Sequence, residues 1–242
     1  MAYYNLDKEQ RRLLSEKIQS EIERDITSKQ TPKLLTYAAD EDTYIRKAVY
    51  LAIGRIYKKI PGKQALIIEL LNDLLKNNNE KVRQTIINAS GEIGMHSFEK
   101  VEPLMHAGLF DPHHSVRNAV IGSIKKMGEK KPEPVLAFAR KYLHHPDKEI
   151  RREICHGIEL RGRTHPQDIL PLLKELEWDK TARVRNTLVH VLGQIAYKKN
   201  CLKTVLEHLR IWENEELVNK ALDEIIDIHE RYKNFAVLSQ KQ

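Results

Sequence analysis

His156 and His190 stand 34 residues apart. Two imidazoles held side by side are the usual start of a transition-metal site, provided a carboxylate or thiolate completes the set. No His-Glu-x-x-His and no Cys-x-x-Cys accompanies them. Read from the sequence, the pair has no local carboxylate. The adjacent pairs His113-His114 and His144-His145 point in divergent directions on a helix. All of these read as ordinary surface or packing histidines, and no metal and no cofactor is expected.

Nucleophilic chemistry fares no better. Cys155 and His156 are neighbours, so on a helix their side chains diverge and form no nucleophile–base couple. Cys155 is expected to be a buried, inert thiol, and Cys201 lies too far along the chain to make a paired motif. Gly-x-Gly-x-x-Gly, the phosphate loop and Gly-x-Ser-x-Gly are all missing. No catalytic residue is assigned, and the chain reads as non-catalytic. Trp178 and Trp212, also 34 apart, fit repeated packing better than a pair that stacks on a ligand.

The recurring interval of 34 leads to the elements that would position these residues. An arginine preceded by a β-branched residue recurs as Ile45-Arg46, Val82-Arg83, Val116-Arg117, Ile150-Arg151 and Val184-Arg185, with Val218-Asn219 as a degenerate sixth copy. The intervals are 37 and then 34 four times, the signature of an internal repeat. Around each anchor, apolar residues recur every three or four positions, so each unit holds a first helix before the anchor and a second helix through it. Pro61, Pro132 and Pro166, with Asn200 in the matching place, punctuate between helices, and Asp42, Asp147 and Asp179 can accept amide hydrogens where second helices begin. Gly54, Gly91 and Gly193, eight after their anchors, imply close approach of neighbouring helices; Gly94, Gly128 and Gly162, eleven after, fit either that or a helix end.

The expected fold is all-α: a right-handed α-solenoid of about six two-helix repeats, each burying an apolar flank that only the next copy can cover. One domain is expected over residues 1–242, with an amphipathic capping helix within 1–30 (Leu13, Leu14, Ile18, Ile22 and Ile26), repeats over 31–232 and a frayed tail over 233–242. No window is long and apolar enough to span a membrane, and the first residues do not read as a secretory signal. With two unpaired cysteines, a cytoplasmic location is expected.

Aligning the second helices gives a polar row. One residue after the anchor stand Lys47, Gln84, Asn118, Arg152, Asn186 and Lys220; five after stand Leu51, Asn88, Gly122, His156, His190 and Glu224. These offsets share one helical face. From the row, Lys47, Asn88, Asn118, Arg152, His156, Asn186, His190 and Lys220 are the candidate binding residues. Arg46, Arg83, Arg117, Arg151 and Arg185 are expected to be structural anchors, stacked in successive repeats and paired with carboxylates such as Asp42, Asp147 or Asp179.

An acidic residue and a Val-Arg or Ile-Arg opening the second of two paired helices resembles the HEAT repeat, over roughly residues 31–232. The resemblance implies an armadillo-like array whose second helices line a concave face, and a protein partner on it. A more distant similarity is to the DNA alkylation-repair glycosylases built on HEAT-like repeats, carried by the segments 178–185 and 205–212. That similarity implies a DNA-binding alternative, to which the net charge of +7 and the basic stretch of Arg151, Arg152, Arg161, Arg163, Arg183 and Arg185 lend weight. Those enzymes typically offer a tryptophan with an aspartate four residues on. Here Ala182 follows Trp178 and Glu216 follows Trp212 at that spacing, so no catalytic residue is carried over.

Overall fold

A computed structural model describes residues 3–236. Among them there is no strand. By internal contacts the chain forms two compact units, one up to Ser123 and one from Ile124 onward.

The first unit holds α1 (Lys8–Ser28), α2 (Pro32–Ala38), α3 (Thr43–Lys59), α4 (Gln64–Leu74), α5 (Glu80–Leu109) and the start of α6 (His114–Lys130). Its punctuation follows the side chains. Asp7 and Gln10 close a capping box at the start of α1, Pro32 opens α2, and the carboxylate of Asp42 accepts the Tyr44 amide at the head of α3. No proline occurs fifteen residues after Arg83. There α5 runs on through a single break at Ser97 (φ −142°, ψ 64°), which separates second and first helix without a loop. α1 lies against α2 and α3, and α3 lies against α5. Ile18, Ile22 and Ile26 of α1 are fully buried, whereas Leu13 is exposed, so the capping helix uses a narrower stripe than its composition offers.

The second unit continues through the rest of α6 to α7 (Pro132–Tyr142), α8 (Lys148–Gly157), α9 (Glu159–Gly162), α10 (Pro166–Lys174), α11 (Ala182–Ala196), α12 (Leu202–Leu209) and α13 (Glu215–Arg231). Pro132 and Pro166 each occupy the first helical position, where no amide donor is needed. α11 is flanked by α8 and α13, and Leu188, Val191, Leu192 and Ile195 fill its interior side. Glycine sets that separation. A methyl group on Gly193 would lie 2.7 Å from Glu224 Cγ, and one on Gly54 would lie 2.7 Å from Glu92 Cβ in the first unit. The segment 233–242 expected as a tail lies partly outside the described residues.

The recurring arginines share one use. Each turns its Nη1 back to the chain entering its own helix. Arg83 donates to the carbonyls of Asn77 (2.8 Å) and Asn78 (3.1 Å), Arg117 to Asp111 (2.7 Å) and Pro112 (3.1 Å), and Arg151 to His145 (2.8 Å) and Pro146 (2.9 Å). Arg46 and Arg185 make the same bond to Asp40 and Asp179. The remaining edge of two of these guanidinium groups grips the next repeat. Arg83 is bidentate on Asp111 (2.7 and 3.0 Å) and Arg151 on Asp179 (2.5 and 3.0 Å). Asp42 and Asp147 cap their own helices by accepting the amide two residues on; Asp111 and Asp179 accept the corresponding amide as well as the arginine. Both gripping aspartates are held below their usual pKa: burial pushes them up, but the arginine and a backbone amide outweigh it.

Candidate functional site

In the first unit Lys47 on α3 and Asn118 on α6 stand exposed on the face of the second helices, while Asn88 is half-buried and spends its amide on the Gln84 carbonyl (3.0 Å). In the second unit the row is drawn together. Arg152 on α8 bonds Glu149 (3.0 Å) and lies 3.5 Å from Glu153, and Arg183 reaches Glu149 from α11 at 3.0 Å. Asn186 and Lys220 line one shallow recess between α11 and α13. His156 and His190 meet edge to face, with ring centroids 6.2 Å apart.

Glu159 is the residue the sequence reading missed, and it overturns the statement that the histidine pair lacks a local carboxylate. It sits one helical turn after His156, with its Oε2 3.1 Å from His156 Nε2. Its side chain is only 2% exposed. The same oxygen accepts from Lys125 Nζ (3.1 Å), and Oε1 is held by Arg163, whose Nη2 also donates to Gln194 (2.7 Å). Burial alone would raise the pKa of Glu159. The His156 bond and the positive charges of Lys125 and Arg163 overcome it and bring the value to about 2. Donor atoms of His156, Glu159 and His190 all lie within 4.8 Å of one another. His190 Nδ1 lies 3.2 Å from Glu224 Oε1.

A signal for Glu159 was present in the sequence. Eight residues after the anchors stand Gly54, Gly91, Lys125, Glu159 and Gly193. Two charges of opposite sign therefore interrupt a row of glycines, and those two pair with each other. A position that elsewhere admits no side chain here carries an ion pair.

The tryptophans part company. Trp212 is buried and its indole N–H donates to His208 Nδ1 four residues earlier (2.9 Å). Trp178, in the same register, is 63% exposed, so the packing expectation fails for it. The residue four before Trp178 is Lys174, which has donors only and is paired with Glu177, so the indole finds no acceptor there. Trp178 instead lines a recess of about 500 Å³ with His144, His145 and Lys180. In the first unit a recess of about 840 Å³ runs along α1. Cys155 is fully buried and burial pushes its thiol pKa up, which makes it a poor nucleophile.

No family model and no curated protein matches this chain. Solved structures do. AlkD2 from Streptococcus mutans superposes with a TM-score of 0.57 at 16% identity, over 93% of this chain and all of that one. The alkylpurine DNA glycosylase AlkC of Pseudomonas fluorescens, bound to DNA containing an abasic site analog, superposes with a TM-score of 0.51 at 14% identity, over 88% of this chain and 64% of that one. An archaeal HEAT-like repeats protein from Thermococcus onnurineus NA1 follows at 17% identity and a TM-score of 0.41, over 89% and 96%. The chain has a HEAT-like helical repeat fold. Its likeness to AlkD2 and AlkC is distant, and at these identities it is a likeness of fold. Within that fold, no helix among the described residues is long and apolar enough to cross a membrane.

Proposed function

We propose that this HEAT-like chain is a non-catalytic interaction scaffold that binds a protein partner through the face of its second helices. Lys47, Asn88 and Asn118 contribute in the first unit, and Arg152, His156, Asn186, His190 and Lys220 in the second. The observation that supports this reading is that these cations of the second unit are each engaged by a carboxylate. Arg152 and Arg183 are matched by Glu149, Lys125 and Arg163 by Glu159, and Lys220 by Glu216. A surface that grips phosphates needs uncompensated cations, whereas amides, imidazoles and paired charges suit a polar protein surface. The test places a photo-crosslinking residue at Asn186 and, as a control on a first helix, at Lys203. The expected result is a protein captured from position 186 alone, whose purified form binds the chain and is weakened by Asn186→Arg. Equal capture from both positions, or none, overturns the reading.

The net charge of +7 favours a second reading, a DNA-binding protein related to the alkylpurine DNA glycosylases. It predicts salt-sensitive binding to duplex DNA containing 7-methylguanine or 3-methyladenine, and base release if catalysis is retained. Neither binding nor release would remove it.

A further inference from the structure

The cluster at the centre of the second unit has a composition that partner binding does not require. We propose that His156, Glu159 and His190 form a site for one divalent transition-metal ion, with zinc the ion best matched by two imidazoles and a carboxylate.

The donor set is that of a three-residue zinc site with a fourth position open to solvent. Zinc–ligand bonds of about 2.0–2.1 Å place neighbouring donors of a tetrahedron roughly 3.3 Å apart. His156 Nε2 and Glu159 Oε2 already stand at 3.1 Å, and the third donor is within 4.8 Å, so side-chain rotation of α11's histidine closes the set. The imidazoles are 33% and 44% exposed, which leaves an entry path from water, while the carboxylate beneath them is buried and fixed. Glu224 lies 3.2 Å from His190 Nδ1. A carboxylate there accepts the hydrogen bond of one ring N–H and leaves the other nitrogen with its lone pair, the arrangement by which ligating histidines are oriented. Arg163 holds Oε1 of Glu159 and leaves Oε2 toward the histidines.

Lys125 is the competitor. Its ammonium occupies the same Oε2 at 3.1 Å and is 22% exposed, so the ion displaces it toward water. This gives the site a property that a purely structural ion pair lacks: removing a cation strengthens binding of another cation.

Protein stripped with a chelator and dialysed is titrated with zinc chloride by calorimetry, and with Co2+ by visible absorption. The expected result is one equivalent bound, with a Co2+ spectrum of nitrogen and oxygen coordination. His156→Gln and His190→Gln each lower the affinity at least tenfold, Glu224→Gln lowers it by roughly ten- to a hundredfold, and Lys125→Gln raises it. Helix content by far-UV circular dichroism confirms that each variant folds. If Glu159→Gln fails to fold, the partly exposed His190 carries the test. No saturable binding by the parent protein, or unchanged affinity in both folded histidine variants, overturns the assignment.

Discussion

Replacing Asp179 with alanine removes the carboxylate that joins two consecutive repeats. Arg151 then loses bonds of 2.5 and 3.0 Å, and the Thr181 amide loses its acceptor at 2.8 Å. Breaking a buried ion pair from one side costs about 3–5 kcal/mol. Arg151 is 13% exposed and keeps the carbonyls of His145 and Pro146, which places the loss near the lower end. The orphaned Thr181 amide, at the rim of α11, adds about 0.5–1 kcal/mol. The total is about 3–4 kcal/mol, or roughly 10 °C in Tm for a chain of this length. Urea unfolding followed by far-UV circular dichroism measures it, with a check that the slope against denaturant is unchanged. Asp111→Ala in the first unit should cost as much, because Arg83 holds Asp111 in the same bidentate geometry. A double-mutant cycle with Arg151→Ala isolates the pair. A loss below about 1 kcal/mol for Asp179→Ala, or a cycle that is simply additive, would refute the claim that these arginines lock neighbouring repeats.

Glycines give a paired prediction. Gly91→Ala drives a methyl group against the Ser123 side chain, 2.7 Å from its Cβ and 3.3 Å from its Cα, and should destabilise by about 1–3 kcal/mol; Gly122→Ala meets nothing within 4 Å and should stabilise α6 by up to about 1 kcal/mol, both read by urea unfolding. The depressed pKa of Glu159, about 2 against an ordinary 4.5, makes its contribution complete above pH 4.5 and progressively lost as pH falls toward 2. This amounts to something on the order of 3 kcal/mol, and Glu159→Gln should flatten the acid limb of the stability profile. Cys155 and Cys201 are both buried and their thiols are pushed up by burial, so an alkylating reagent should modify them in urea and leave them untouched in the native protein, as intact mass will show.

The architecture could be read from spacing because a repeat states its rule several times over. An arginine every 34 residues, a proline in phase and an aspartate ahead of the helix place α3, α7, α8, α10 and α11 without knowledge of their neighbours. What the arginines grip was legible only in part: Asp179 was among the expected partners, but Asp111 was not. Asp42 and Asp179 look alike in sequence, yet the first caps its own helix while the second also closes on Arg151, a choice made by the next repeat. The matched tryptophans fail for a comparable reason: burial of an indole depends on an acceptor, and His208 supplies one where Lys174 does not. The central cluster was half visible. Register brought His156 and His190 together, but Glu159 stands on a different offset, and its meaning lies in replacing glycine rather than in matching any motif.

The grip of Arg83 on Asp111 and of Arg151 on Asp179 spans 28 residues in each case. In these two repeats the guanidinium is completed by a carboxylate from the copy downstream. Gene duplication that copies 34 residues carries donor and acceptor in step, whereas an insertion of one residue within a helix swings everything beyond it by about 100° and leaves the charge facing the wrong way. Within those helices, then, a change of length is accommodated only where it keeps guanidinium and carboxylate facing each other.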